Sequence, residues 1–143
     1  MNHTTTKMQQ VISALATKHG LSFTTWGGVL RLSLPGYMPL VIESLIPGTV
    51  VTVTHYYRQN GDLCPDPDME FGTTAEGWVP LCKQDSLSYT RPEPGSNGQA
   101  ALAAFADFWA CNLEAQGWLE RAVRVEALDG DDGAAGVAVA VEA

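Results

Sequence analysis

The sequence predicts an α+β fold, a two-layer sandwich in which a mostly antiparallel sheet packs against one long and one shorter helix. Three observations carry that expectation. Apolar residues recur at helical spacing near each end of the chain, at Met8–Ala16 and at Leu102–Leu113. Between them, strand-like runs alternate with Gly, Pro and Asn turn signals. Neither helical segment alternates with strands in the βαβ manner, which argues against a doubly wound sheet.

The elements follow in order. Met8, Val11, Ile12, Leu15 and Ala16 recur at three and four, with Thr5 or Thr6 as a cap, Lys18 near the end and Gly20 as a stop. LSFTTW and VLRLSL flank Gly27-Gly28 and read as a two-strand hairpin. Met38–Ile46 is a further strand, closed by a Pro47-Gly48 turn. Thr49–Gln59 is the strongest strand, with Val51, Val53, His55 and Tyr57 on one face and Val50, Thr52, Thr54 and Tyr56 on the other. Asn60-Gly61 signals a tight turn. Pro65 and Pro67 interrupt the return strand and belong at an edge or a loop crossing, because neither can donate to a ladder. Trp78–Lys83 and Leu87–Thr90 are shorter strand candidates. Ser96 and Gln99 then fit a capping box ahead of the long helix, whose stripe is Leu102, Phe105, Ala106, Trp109 and Leu113, with Gly117 as its C-cap. Residues 118–128 fit a short helix or a strand equally. Residues 1–128 read as a single α+β domain. The acidic, Gly/Ala-rich tail, 129–143, is an edge strand or a loose end.

The chain has 143 residues, 45% of them hydrophobic, and four Trp and four Phe, enough for a substantial core. Its formal charge is −8, unevenly spread. Residues 1–61 hold four basic side chains against one acidic, a formal +3; residues 62–143 hold four against fifteen, a formal −11. That balance disfavours direct nucleic-acid binding, which needs many phosphate contacts; it is compatible with a basic partner protein, with hard cations or, the commonest reading, simply with solubility. No 18-residue apolar run is present, so no membrane span is expected. The three cysteines, Cys64, Cys82 and Cys111, lack metal or redox spacing and fit a reduced, cytoplasmic protein. Cys111 falls within the apolar helix pattern and reads as a core residue.

The densest polar constellation is Asp62, Asp66, Asp68 and Glu70. If this segment is extended, period two places Asp66, Asp68 and Glu70 on one face, where they can hold a hard cation. The competing reading is local: Asp66-Pro67 and Asn60-Gly61 suit turn chemistry without an ion, and the calcium-loop spacing is missing. His55, with Asp66 and Asp68 opposite, is a candidate general base; a lone strand histidine is more often a hydrogen-bonded core or surface residue. Tyr56, Tyr57, Trp78 and Tyr89 can floor a groove, although Trp78 and Trp109 also suit ordinary core packing. No nucleophile motif, phosphate loop or cofactor motif occurs.

The segments YMPLVIE, HYYRQNGDLCPDPDMEF and GWVPLCKQDS, with NLEAQGW further on, resemble an uncharacterised family of small domains from bacterial plasmids and other mobile elements. The resemblance covers Tyr37–Asp85 and rests on Tyr57, Asn60, Gly61, Asp62, Asp66 or Asp68, Met69, Phe71, Trp78, Val79 and Pro80. It implies a mobile-element setting and supplies no catalytic residues. The expectation is a non-enzymatic accessory or interaction module without a cofactor, using Tyr57, Asp62, Asp66, Asp68 and Glu70 as its contact residues. One version is an acidic inhibitor of a host nucleic-acid-binding defence protein. The alternative is a small divalent-metal-dependent hydrolase or nuclease, with His55, Asp66 and Asp68 catalytic and Asp66, Asp68 and Glu70 as ligands.

Overall fold

A computed structural model of the chain describes residues 2–128; the tail at 129–143 lies outside the described residues. The elements are α1 (Thr6–Lys18), β1 (Gly28–Ser33), β2 (Leu40–Ile46), β3 (Val50–Gln59), β4 (Asp62–Thr74), β5 (Gly77–Gln84), β6 (Tyr89–Thr90), α2 (Asn97–Gln116), α3 (Trp118–Arg121) and β7 (Val123–Val125). The strands form one sheet in the order β6-β5-β4-β3-β2-β1-β7. Every described pairing is antiparallel. The α1 and α2 helices contribute Met8, Ile12, Leu15, Leu102, Trp109 and Leu113 to a core shared with Leu30, Ile42, Val53, Met69 and Phe71 of the sheet. A small cluster of Val41, Val125 and Leu128, with Val29, Tyr56 and Leu63 against it, sits on the opposite face. The molecule is the mixed α+β fold that the sequence predicts.

The caps show how the two long helices are fixed to each other. Ser96 accepts from the Gln99 amide at 3.2 Å, as the capping-box pattern requires. The Gln99 side chain, almost fully buried, instead accepts from the Gly95 and His3 amides. Thr5 stands at the N-cap of α1, yet its hydroxyl donates to Asp107 of α2 at 2.5 Å. Asp107 also accepts from the Lys7 amide at 3.1 Å, so a carboxylate from α2 serves the first turn of α1.

Two expectations need correction, and one left open is resolved. Residues 21–26 form no strand: the Trp26 amide turns back to the Ser22 carbonyl at 2.7 Å, and β1 finds its partners in β2 and β7. The ambiguous 118–128 stretch is both things in succession, the short helix α3 and then β7. Cys111 is exposed, because the buried stripe of α2 runs through Trp109, Ala110 and Leu113 and leaves it outside; the buried cysteine is Cys82. His19, just past the end of α1, has its pKa lowered by burial and by Arg124 and Lys18.

Candidate interaction surface

Strands β3 and β4 outrun their neighbours. The β2 ladder on β3 ends at Leu40–His55, and the β5 ladder on β4 begins at Asp68. Tyr56–Pro65 through Gln59–Asp62 therefore pair with each other as a two-stranded arm. Its tip is Asn60-Gly61, with φ of 53° and 87°, the two positive values that a type I′ turn requires. Pro65 and Pro67 fall on the stretch of β4 that β5 does not pair, which is the edge position expected of them.

The root of the arm carries the decisive irregularity. Thr54 pairs with Asp68 and Tyr56 with Pro65, so Asp66 and Pro67 together stand opposite the single residue His55. This bulge resets the alternation along β4. Asp68 and Glu70 pair with Thr54 and Thr52, on the face away from the helices, while Met69 and Phe71 between them are buried in the helix-side core. Tyr57 and Asp62 share the helix side with His55 through the pairs Tyr57–Cys64 and Gln59–Asp62. The Tyr57 hydroxyl pKa is raised by desolvation, by Cys64 and by the carboxylate of Asp66. Tyr57, Asp62 and Asp66 are thus separated from Asp68 and Glu70.

That separation bears on the alternative site. Asp66, Asp68 and Glu70 do not share a face, and among the described residues no three His, Cys, Asp or Glu side chains converge to hold a metal ion. His55 and Asp68 lie on opposite sides of the sheet. The His55 ring sits between Trp109 and Trp118, with centroids 5.5 and 5.7 Å away. Its Nδ1 is 3.1 Å from the Pro39 carbonyl, which places the proton of the neutral ring on Nδ1. Burial lowers its pKa against the opposing pull of the Pro39 and Met38 carbonyls. Asp68 accepts from the Thr54 hydroxyl at 3.0 Å; burial raises its pKa, Thr54 opposes that, and Glu70 adds to it. These are the surroundings of a packed histidine and a desolvated carboxyl held apart, and they do not form an acid–base pair.

The four aromatics also part company. Trp78 is in the core, Tyr56 belongs to the cluster on the far face, Tyr57 lies on the arm, and Tyr89 is exposed on the edge strand. A different groove exists, one that strand patterning missed. It opens where the arm meets α2 and is bounded by Tyr37 and Met38 on one side, Phe108 and Trp109 on the other, with His55 and Pro67 beneath. Tyr37, Met38 and Phe108 are 43%, 42% and 63% exposed. The available signal was Phe108 itself, a large apolar residue off the buried stripe of α2.

Among the described residues no helix is long and apolar enough to cross a membrane. Comparison with curated proteins and with solved structures returns no match. Residues 9–119, well over half of the chain and including the arm, the bulge and the groove, match the family described as a domain of unknown function (DUF6908), and the chain belongs to that family.

Proposed function

We propose that the protein is a non-enzymatic interaction module that docks a basic protein partner on the surface made by the groove and the helix-side face of the arm. The observation that carries this reading is the clustering of three exposed apolar side chains, Tyr37, Met38 and Phe108, around one groove. Isolated surface apolar residues need no explanation, whereas a contiguous patch with a polar rim marks a contact site. Tyr57, Asp62 and Asp66 extend that surface along the arm and give it a negative rim. Pro65 and Pro67 deny main-chain donors to the open edge of β4, so docking by side chains is favoured over strand addition.

The setting is that of an accessory protein of a bacterial mobile element acting in the cytoplasm, as the sequence resemblance implies. An inhibitor that imitates nucleic acid is the less favoured version. Several acids that would stand in for phosphates are engaged within the fold: Asp68 with Thr54, Asp85 with Lys83, Asp107 with Thr5, and Glu114 with Lys7.

Affinity capture from a bacterial lysate, read by mass spectrometry, tests the proposal. Wild type should retain a basic protein that the Phe108→Ser variant loses and the Asp62→Asn/Asp66→Asn variant retains more weakly, while Glu70→Gln retains it in full. Identical capture by all four proteins, or none by wild type, would overturn the reading.

A further inference from the structure

The groove beside His55 is shallow and open to solvent, and its walls have a chemistry more specific than apolar. Five rings line it: Tyr37, His55, Phe105, Phe108 and Trp109. Two pairs among them are tilted rather than stacked, His55 and Trp109 at 48° and Phe105 and Trp109 at 45°. Met38, Pro67, Asn112 and Gln116 complete the lining, so among the described residues no formally charged side chain stands in it. Its volume is about 220 Å³. That is below the roughly 300–1,000 Å³ of sites for drug-sized molecules and fits the end of one side chain.

Aromatic rings around a small cavity can turn their negative faces to an organic cation and hold it there. We propose that this pocket receives the ammonium end of a lysine side chain, methylated or not, from the protein partner. The inference rests on reading this surface as a protein-docking one and names the group that is recognised. Charge complementarity supports it. Asp66 directly precedes the pocket residue Pro67 and stands in the bulge opposite His55. Burial keeps the His55 ring neutral at ordinary pH, so the base of the pocket carries no positive charge. The molecule already uses one of these rings in this way: Lys83 Nζ lies 4.7 Å from the centroid of Phe105, its charge offset by Asp85 at 3.1 Å. The exposed rings of Tyr37 and Phe108 can offer the same interaction to a group from outside.

A neutral shape-mimic separates this from plain hydrophobic burial. The probes are N-acetyl-lysine methylamide, its Nε-trimethyl derivative, and the carbon isostere of that derivative ending in a tert-butyl group. Binding is followed through the indole N–H resonance of Trp109. The trimethylammonium probe should shift that resonance and bind about tenfold more tightly than its carbon isostere. Tyr37→Leu and Phe108→Leu keep apolar bulk at exposed positions and remove a ring face. Each should weaken the cationic probe severalfold and leave the isostere nearly unaffected. Equal or tighter binding of the isostere, or no binding by any probe, would overturn the inference. Loss of partner capture by Phe108→Ser would still stand in that case, so the docking reading and the ammonium assignment fail separately.

Discussion

Strands β3 and β4 run side by side for their whole length, yet only their root, Val50–Thr54 against Asp68–Gly72, lies between other strands and under the helices. There Val53, Met69 and Phe71 are fully buried, and the pairing is one layer of a core. Beyond the bulge, the arm from Tyr56 to Pro65 continues the same ladder with more polar residues, and its helix-side face extends past the helices. Tyr57 is half-buried there and Asp62 exposed. One hairpin therefore holds the fold together at one end and presents side chains at the other. The one-residue bulge at Asp66-Pro67 separates the two duties by changing which side chains face the helices.

The contrast is easiest to break by truncation. Phe71→Ala and Trp109→Ala should each cost about 3–5 kcal/mol, because a large buried ring is replaced by a cavity in a close-packed layer. Tyr57→Ala on the arm should cost about 1 kcal/mol or less, in line with substitutions outside the core. Denaturant midpoints measure all three. A Tyr57 variant as damaged as the Phe71 variant would show that the arm belongs to the cooperative core. Phe105→Ala should fall between them, since that ring is only partly buried.

At the tip, Gly61→Val should cost of order 1 kcal/mol, because φ of 87° is strained for a β-branched residue. Nothing lies within 4 Å of the position where a Cβ would stand, so the penalty is conformational and not steric. Amide exchange sharpens the comparison. Protection should fall in Tyr56–Pro65 and persist in the root if the two lengths open separately.

Acid separates them as well. The folded-state pKa of His55 lies below its ordinary 6.5, and His19 shifts in the same direction. The unfolded chain therefore binds these protons more readily. Stability is fully present above about pH 6.5 and is lost as pH falls below it toward the folded-state values. His55→Gln and His19→Gln should each remove part of that slope in a chemical-denaturation series. A slope unchanged in both variants would refute the burial assigned to the rings.

Most of the fold was legible because its signals are local. The Asn60-Gly61 turn, the Ser96–Gln99 cap, the apolar stripe of α2 and the Val/Thr run of β3 each express a preference that no distant contact overrides. The candidate site was legible only in part. Period two correctly gathers His55 with Tyr57, but it also gathers Asp66 with Asp68, and there a bulge intervenes that depends on register with another strand. Residues 21–26 failed for a related reason: a strand needs an open partner edge, and the edges of β1 were claimed by β2 and by β7, almost a hundred residues later. The groove was invisible because it joins Tyr37, Pro67 and Phe108, which no local pattern connects.

The smallest expected effect tests which side of the bulge recognises the partner. Asp62→Asn and Asp66→Asn remove charges from the groove side; Asp68→Asn and Glu70→Gln remove them from the other. Exposed charges contribute roughly 0.2–1 kcal/mol and are screened by salt, so each of the first pair should weaken partner association by that amount at low ionic strength and by less at high. The second pair should leave association unchanged at every salt concentration. Asp68→Asn should in addition leave stability equal or slightly higher at neutral pH. Its folded-state pKa is raised, so the charged form is the disfavoured one, and an amide oxygen can still accept from Thr54. Titrations of the four variants at two salt concentrations, with melting curves alongside, give both readouts. If Asp68→Asn and Glu70→Gln weaken association as much as the first pair, the partner contacts both faces, and the bulge does not divide the hairpin by function.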